Sequence, residues 1–273
     1  MPGKCLMRRI RFNLIFMKNI SDQLKVFLYK LHNYRIFSLE FVCKVLGINP
    51  SYSQFGEDLI IEHLLGLMNV PKPVYLDVGA NDPRRGSNTF LFYKKGGSGV
   101  LVEPNPDLCK KLMRHRKRDV VLNAGIGVGQ EKEGTFFLFE GQLNGLSSFS
   151  EKSVSYWENV GLRGIGKVKA AKAVKIPLIT MDKVFEHHFK ERMPDFVSID
   201  IEGLDLEILQ SMDLNKYRPN VICCEASYYD ERQHVHKDMK IIDHMLSNGY
   251  FVYADTFINT IFVNKKWFDG RTS

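Results

Sequence analysis

The sequence lacks any uncharged apolar run of about 18 residues, so it predicts no helix that crosses a membrane. It has five cysteines, an odd number without a C-x-x-C pair, and it shows no zinc-binding spacing. Cys223 and Cys224 lie in an apolar stretch, where we expect buried thiols of a protein from a reducing compartment. A Walker loop and a G-x-S-x-G elbow are also missing, which argues against a P-loop nucleotidase and a serine hydrolase.

The N-terminus also lacks the pattern of a cleaved secretory signal. Its apolar stretch, residues 12–17, is short, Lys18 interrupts it, and no small-residue cleavage site follows. We therefore expect a cytoplasmic protein.

Positive charge is concentrated in the N-terminal part of the chain. Residues 1–50 hold nine basic and two acidic residues and so account for the whole net charge of +7. Apolar spacing from Ser21 to about Leu46 predicts a helix, so we divide the chain into a basic amphipathic helical arm, residues 1–50, and a domain, residues 51–273. Residues 1–46 either rest on an anionic membrane at its inner face or, as we favour, cover the core or a partner subunit.

The most informative stretch is Val74-Tyr75-Leu76-Asp77-Val78-Gly79-Ala80-Asn81-Asp82, a predicted buried strand followed by a tight turn. The strand carries a carboxylate at Asp77, and Gly79 lets the main chain bend sharply and approach a ligand closely. In an open α/β sheet, a nucleotide-like ligand binds at this end of a strand. A second apolar strand, residues 99–102, leads into Glu103, which can accept two ribose hydroxyls.

The turn does not fit a dinucleotide. A G-x-G-x-x-G loop starting at Gly79 needs glycine at the positions of Asn81 and Arg84. A pyrophosphate favours bare amide donors, whereas Asp77 and Glu103 suit a ligand with a ribose and a positive charge. S-adenosylmethionine (SAM) has both features and no phosphate. The alternative is an ordinary turn followed by a solvated glutamate.

Alternating strands and helices, with strands that are apolar throughout, predict a doubly wound α/β sheet. Its last two strands, residues 250–253 and 260–263, form a predicted hairpin. A helix is predicted at 86–95. Residues 140–172 are polar and rich in glycine, and a connection of that length is typical of a lid or substrate loop.

Two further predicted strands end in acidic residues, Asp200 and Glu225. Because parallel strands present their carboxyl ends at one edge, these two should line one crevice with Asp77 and Glu103. Asp200, Glu202 and Glu225 then remain for an acceptor, whose hydroxyl they could orient and deprotonate. Alternatively, Asp200 and Glu225 hold a divalent cation, Mg²⁺ or Mn²⁺, that binds two sugar hydroxyls. Glu202 can also be an ordinary acidic residue of a first helical turn.

Histidine and aromatic side chains give weaker signals. His187 and His188 lie on a predicted surface helix and are expected to be structural. His234 and His236 follow the strand that ends in Glu225, so a role as general base is open to them. Four aromatic residues are candidates either for stacking on sugar rings or for packing alone: Tyr156, Trp157, Tyr228 and Tyr229.

Several short motifs occur together in a recognisable order, namely Tyr52–Asp58, Leu76–Asn81, Val102–Pro104, Leu146–Ser148, Thr180–Asp182 and Ser198–Gly203. As a set they resemble the FkbM family of SAM-dependent methyltransferases over roughly residues 51–264. The resemblance implies a Rossmann-like class I methyltransferase sheet of seven strands, the last one antiparallel. It also implies O-methylation, most often of a sugar or polyketide hydroxyl.

The same resemblance implies roles for individual residues. The methionine end of SAM would be held by Gln54 and by the turn with Asp77, Gly79 and Asn81, and its ribose by Glu103. Asn123 and Ala124 would lie by the adenine, and Asp200 and Glu202 would face the reacting centre. The segment 225–229 matches no part of the family pattern, which leaves the acceptor open.

We therefore expect a SAM-dependent O-methyltransferase that acts on a hydroxyl of a carbohydrate or glycoconjugate, without a nucleic-acid partner and with an oligomeric state left open. One rival is a methyltransferase for RNA or a small-molecule natural product, which would share the cofactor site and use the basic arm as an electrostatic handle. The other is a non-catalytic scaffold, which would keep the fold without binding SAM.

Overall fold

The computed structural model of the chain describes residues 49–161, 166–201, 203–230, 232 and 234–270. The predicted arm lies outside these residues except for its last two, and it stays a prediction. Among the described residues, no helix is long and apolar enough to cross a membrane.

Seven of the strands form one central sheet. The strands in chain order are β1 (Val74–Val78), β2 (Ser98–Val102), β3 (Val120–Leu122), β4 (Gly125–Ile126), β5 (Glu133–Leu138), β6 (Lys172–Ile179), β7 (Phe196–Ile199), β8 (Val221–Glu225), β9 (Ser227–Tyr229), β10 (Val235–Lys237), β11 (Tyr250–Asp255) and β12 (Asn259–Asn264). The central sheet has the order β11-β12-β8-β7-β1-β2-β3, and β12 runs antiparallel to both of its neighbours. The predicted doubly wound sheet with an antiparallel last strand is confirmed.

Helices connect the strands. They are α1 (Glu57–Leu67), α2 (Phe90–Lys94), α3 (Pro106–His115), α4 (Glu151–Val160), α5 (Met181–His188), α6 (Asp205–Ser211), α7 (Met239–Ser247) and α8 (Lys265–Asp269), with a 3₁₀ helix at Gly141–Leu146. Asn105 caps α3, because its side chain accepts a hydrogen bond from the amide of Asp107 at 3.0 Å.

Both faces of the inner strands β1, β7 and β8 are buried, which explains why these strands are mainly apolar, whereas the edge strands β3 and β11 are partly exposed. Leu76 and Val78 of β1 pack into one hydrophobic cluster with the helices on that face. Tyr75 points to the other face and packs with Ile61 and Leu64 of α1. Cys223 and Cys224 of β8 are free and fully buried, as expected for structural thiols.

The predicted helix at 86–95 is wrong in its first half, since α2 contains only Phe90–Lys94. The three polar residues before it are buried and their side chains bond elsewhere. Ser87 Oγ accepts from the amide of Phe90 at 3.2 Å, and Asn88 Nδ2 donates to Ser198 Oγ at 3.0 Å. Such side-chain hydrogen bonds compete with helical ones.

The stretch 140–172 is more ordered than a plain loop. The 3₁₀ helix and α4 together occupy about half of it, and Val154, Trp157 and Val168 bury their side chains against Phe139. A second small sheet with the order β4-β6-β5 stands beside it. A third unit, the antiparallel pair β9 and β10, has no strong sequence signal because both strands are only three residues long.

Candidate functional site

A cleft lies where the chain reverses its direction across the central sheet. From β1 the chain builds outward through β2 and β3, and it later returns to add β7 and β8 on the other side. Ligands of open α/β sheets bind at this kind of switch point, beyond the carboxyl ends of the strands. The cleft has a volume of about 470 Å³ and is lined by seven of the residues predicted for the site, namely Gln54, Asp77, Gly79, Asn81, Glu103, Ala124 and Asp200.

Gly79 begins the turn that follows β1, and it lines the cleft. Its amide donates to the carbonyl of Val102 at 3.0 Å, so the chain folds back over the end of β2. Its φ is 82°, and a Cβ at this position would lie 1.8 Å from the carbonyl oxygen of Asp200. Only glycine permits this approach of two strand ends.

Glu103 is buried at the end of β2, with both carboxylate oxygens held by main-chain amides. Oε2 accepts from the amide of Asn81 and Oε1 from the amide of Asn105, each at 2.8 Å. Burial raises the pKa of Glu103 to about 7, although the two amide donors oppose that rise. Each oxygen keeps a further lone pair, so the carboxylate can still accept a pair of hydroxyls.

Asp77 is also buried, but it faces a network below the cleft. Its Oδ2 accepts from Thr89 Oγ1 at 2.5 Å, and Arg116 Nη2 donates to the same hydroxyl at 3.0 Å. Arg116 in turn pairs with Asp119 at 2.8 Å and donates to Tyr75 at 3.1 Å. Burial raises the pKa of Asp77, while the Thr89 hydrogen bond and the charge of Arg116 oppose the rise. Asp77 therefore connects the cleft, through Thr89, to the buried ion pair of Arg116 and Asp119.

The segment after β5 closes one side of the cleft. Asn144 of the 3₁₀ helix donates to Asn81 Oδ1 at 3.2 Å, and Asn81 has a left-handed φ of 47°. Asparagine tolerates that conformation better than other non-glycine residues. The segment predicted to be a lid or substrate loop is therefore hydrogen-bonded to the turn that carries residues predicted to hold the cofactor.

The segment before α1 closes the other side and carries Gln54. Asp58 fixes this segment, because its carboxylate accepts from Ser51 Oγ at 2.7 Å and from the amide of Tyr52 at 2.7 Å. Glu57 fixes it to the far end of the sheet through Asn259 Nδ2 at 2.9 Å. The N-cap of α1 is Gly56, which makes no side-chain cap bond.

Asp200 and Glu225 leave the sheet side by side. Ile199 pairs with Cys224 in the parallel register of β7 and β8, so the next residue of each strand is one of these two carboxylates. Burial and then the charges of Asp77 and Glu57 raise the pKa of Asp200. Burial and then the charge of Asp200 raise the pKa of Glu225. Two such neighbours favour a state in which the pair shares a proton.

A third carboxyl, that of Asp205 at the start of α6, was not singled out from the sequence. It is buried, and its Oδ1 has no hydrogen-bond partner among the described residues. Burial and then the charge of Glu225 raise its pKa well above the usual range.

The remaining predicted residues lie elsewhere. Asn123 is exposed and is not part of the cleft lining, since its Nδ2 donates to the carbonyls of Glu103 and Pro104 at 3.0 and 2.9 Å. Glu202 falls outside the described residues. His187 and His188 end α5, and His234 and His236 flank or belong to β10. Trp157 is buried, and Tyr156 donates to the carbonyl of Asp230 at 2.7 Å, which favours packing over sugar stacking for both.

Sequence reasoning missed the apolar wall of the cleft and the residues below it. The wall includes Ile126, Phe136 and Phe149. Phe149 rests on two glycines, because a Cβ on Gly125 or Gly134 would lie 2.3 or 2.9 Å from its ring. These contacts join three separate chain segments and leave no local pattern. Thr89 and Arg116 were missed for the same reason.

The arrangement fits a ligand that is part cationic, part ribose and part aromatic. Glu103 offers a carboxylate to hydroxyls, the carboxylates of Asp77 and Asp200 favour positive charge, and the wall with Phe136 and Phe149 suits a flat ring. These are the features of SAM. The volume of the cleft lies within the usual range for small-molecule sites.

The family model described as the methyltransferase FkbM domain matches residues 77–252 of this chain. No curated protein matches the sequence.

Solved structures give only distant likenesses. The O-methyltransferase from Bacillus cereus in complex with S-adenosylhomocysteine is 11% identical, with 93% of this chain and 96% of that chain covered and a TM-score of 0.38. The 1,6-didemethyltoxoflavin-N1-methyltransferase from Burkholderia thailandensis is 10% identical, with coverage of 76% and 74% and a TM-score of 0.35. A TehB-like SAM-dependent methyltransferase from Corynebacterium glutamicum is 10% identical, with coverage of 87% and 99% and a TM-score of 0.38. With such TM-scores, the assignment rests on the family model alone.

Proposed function

The chain belongs to the FkbM family of SAM-dependent methyltransferases, and we propose that it methylates a hydroxyl group of a carbohydrate or glycoconjugate. The observation that carries the proposal is the pair Asp200 and Glu225, side by side beyond the switch point. A hydroxyl needs a proton acceptor as it attacks, and this pair supplies carboxylates whose pKa values are raised toward neutral.

When bound, SAM supplies an electrophilic methyl group on a sulfonium sulfur. Gln54, Gly79 and Asn81 are proposed to hold its methionine end, Glu103 its ribose, and Ala124 with the apolar wall its adenine. Asn123 contributes indirectly, by holding the strand end that carries Glu103. Asp200 lines the cleft and neighbours Glu225, and it is proposed to lie between cofactor and acceptor.

In the proposed step the acceptor oxygen would attack the methyl carbon, whose bond to sulfur would break as the new C–O bond forms, so that the sulfur would leave as the neutral thioether S-adenosylhomocysteine. The carboxylate of Glu225 accepts a hydrogen bond from the hydroxyl, orients it and takes its proton as the C–O bond forms. Asp200 raises the basicity of Glu225 through its charge. Positioning supplies most of the rate, and a general base adds about 10²–10⁴-fold. Glu202, two residues after Asp200 in the sequence, is proposed to assist.

Exposed aromatic side chains near Glu225 favour a sugar acceptor. Tyr228 follows Glu225 in β9 and is 53% exposed, and Phe257 is 54% exposed on the turn before β12. The two segments are joined by the hydrogen bond from the Ala226 amide to the Ile258 carbonyl at 2.9 Å. Sugar rings present flat apolar faces, and exposed aromatic rings are suitable platforms for them.

The same carboxylate pair supports a variant of the mechanism. Asp200 and Glu225 offer oxygen ligands to Mg²⁺ or Mn²⁺, and such a cation would bind two neighbouring sugar hydroxyls and lower the pKa of one. A chelator separates the two variants, because it would stop a cation-dependent transfer and leave a carboxylate-dependent transfer unchanged.

We further propose that the protein works in the cytoplasm without a nucleic-acid partner. Residues 51–273 carry no net charge, whereas RNA binding depends on clustered basic residues. Contact of residues 1–46 with the inner face of a membrane, or with a second subunit, is the proposed role of the basic arm.

The test uses SAM with a radiolabelled methyl group and a panel of sugar nucleotides, lipid-linked glycans and RNA. We expect label in a sugar hydroxyl. Glu225→Gln should lower the transfer rate at least a hundredfold while the affinity for SAM changes less than threefold. The exposed Glu207 of α6 provides the matched control, Glu207→Gln, with full activity. Label in RNA alone, or a Glu225→Gln variant with full activity, would overturn the proposal.

A further inference from the structure

The hairpin β9–β10 carries a group of side chains that the proposed methyl transfer does not use. Asp230 follows β9, His234 precedes β10 and His236 lies within it. His234 and His236 are two residues apart, and side chains at that spacing point to the same side of a strand. The hairpin thus brings two imidazoles and a carboxylate together at its end.

The geometry of the three side chains matches a metal-binding site. Asp230 Oδ2 lies 3.2 Å from His234 Nδ1 and 3.0 Å from His236 Nε2. One ligand atom from each residue lies within 4.8 Å of the other two. In a tetrahedral zinc site with bonds of about 2.0–2.1 Å, neighbouring ligand atoms are about 3.3 Å apart. Among the described residues, no other group of three His, Cys, Asp or Glu converges in this way.

Contacts within the protein already hold two of the three ligands in place. Asp230 Oδ1 accepts from the amides of Arg232 and His234, each at 2.8 Å, so Oδ2 faces the imidazoles. The ring of His236 stacks on Tyr228 with a centroid distance of 5.5 Å and an angle of 26°. The Tyr156 hydroxyl fixes the carbonyl of Asp230 from α4 at 2.7 Å. Supporting contacts of this kind orient the ligands of metal sites.

We propose that Asp230, His234 and His236 bind one divalent transition-metal ion of the Zn²⁺ type. Imidazole nitrogen suits Zn²⁺, Co²⁺ and Ni²⁺, whereas Mg²⁺ and Ca²⁺ take oxygen ligands. Three protein ligands leave the fourth tetrahedral position to water or to an oxygen of another molecule. The two ring nitrogens that face Asp230 bind the metal through their lone pairs once each ring carries its proton on the other nitrogen.

The consequence for the fold is a cross-link at the end of the hairpin. β9 begins two residues after Glu225, and Ser227 Oγ donates to Glu225 Oε1 at 3.2 Å. A metal at the tip would thus stiffen the segment that leaves Glu225. This site is separate from the cation that Asp200 and Glu225 are proposed to hold, and the two differ in ligand chemistry.

The test is a calorimetric titration of the tag-free, full-length protein with ZnCl₂ and, separately, with MgCl₂. We expect one Zn²⁺ per chain, no Mg²⁺ bound at this site, and at least a tenfold weaker Zn²⁺ affinity in His234→Gln, His236→Gln and Asp230→Asn. His187→Gln and His188→Gln are matched controls, because these exposed histidines lie at the end of α5, and they should bind Zn²⁺ as the wild type does.

A second measurement guards against variants that fail to fold. Thermal unfolding of the wild type should shift upward on addition of Zn²⁺, and the three site variants should keep the metal-free transition without that shift. Co²⁺ should give the intense visible absorption of a tetrahedral complex in the wild type alone. A wild type that binds no Zn²⁺, or site variants that bind it as tightly as the wild type, would overturn the proposal. Either outcome is expected if Asp230, His234 and His236 are only hydrogen-bonded to one another at the surface and bind no metal.

Discussion

Two residues at the ends of β1 and β2 determine the shape and the charge of the cleft. Gly79 lets the turn come so near to β7 that a Cβ would lie 1.8 Å from the Asp200 carbonyl. Glu103 is a buried carboxyl held by two main-chain amides. The role of Gly79 depends on space and backbone conformation, whereas the role of Glu103 depends on its protonation. The two residues are therefore tested by different experiments.

Gly79→Ala tests the close approach of the strand ends. The added methyl group meets main-chain atoms and the φ of 82° disfavours alanine, so the turn must shift. We expect at least a tenfold loss of SAM affinity and a loss of about 1–3 kcal/mol in the free energy of unfolding. Gly66→Ala is the control, because Gly66 lies in α1 with nothing within 4 Å of its Cβ position. That change should leave the affinity intact. Unchanged SAM binding by Gly79→Ala would refute this account of the turn.

The protonation of Glu103 predicts how SAM binding depends on pH. The pKa of Glu103 in the folded protein is about 7, above the ordinary value of 4.5. Its ionisation therefore lowers the free energy of unfolding progressively as the pH rises from 4.5 to about 7. In the proposed complex the ribose hydroxyls donate to the ionised carboxylate, so SAM should bind up to about tenfold more tightly at pH 8 than at pH 6.

Calorimetric titrations at both pH values measure this dependence. Glu103→Gln cannot ionise and should show a flat profile with weaker binding throughout. A wild type whose affinity is constant, or falls with rising pH, would show that Glu103 is not the titrating ligand.

At the scale of secondary-structure elements, the strand ends were predictable and their connections were not. Asp77, Glu103, Asp200 and Glu225 could be placed because an apolar strand that runs into an acidic residue is a local pattern, and parallel strands end at one edge. Asn123 was predicted to lie by the adenine, and its side chain donates to the carbonyls of Glu103 and Pro104. The spacing of residues in the sequence does not predict these hydrogen-bond partners. The short hairpin β9–β10 and the contact of Phe149 with two glycines depend on tertiary packing.

The end of α3 shows the same limit. The basic cluster 114–118 is of the kind that interacts favourably with a helix dipole, but Arg116 is 1% exposed and pairs with Asp119 below the cleft. Arg116→Met leaves Asp119 buried without its partner, so we expect a loss of about 3–5 kcal/mol in the free energy of unfolding. Denaturant unfolding measures this loss. Arg114→Met, at an exposed position of the same helix, should cost less than about 0.5 kcal/mol. Equal stability of the two variants would contradict the buried network.

At the scale of the whole molecule, the net positive charge and the predicted cofactor residues lie in different parts of the chain. Residues 1–50 carry the net charge of +7, and the predicted cofactor residues all lie beyond them. Any attraction to an anionic surface should therefore reside in the arm. The triple substitution Arg8→Ser, Arg9→Ser and Arg11→Ser should weaken binding to phosphatidylglycerol vesicles about a hundredfold, at about 1 kcal/mol for each charge.

The matched control removes three exposed charges from the domain, at Arg114, Lys117 and Lys169. It should bind vesicles as the wild type does, and both variants should keep the SAM affinity of the wild type. Vesicle binding that depends on the domain charges instead of the arm would contradict this division.

The cleft between β1 and β7 is proposed to bind SAM through Glu103. Calorimetric titration of SAM into the full-length protein tests it most directly, with Glu103→Gln and the exposed control Glu207→Gln measured alongside. We predict one SAM per chain, at least tenfold weaker binding by Glu103→Gln, and unchanged binding by Glu207→Gln. A folded wild type that binds no SAM, with or without Mg²⁺ or Mn²⁺, would contradict the account.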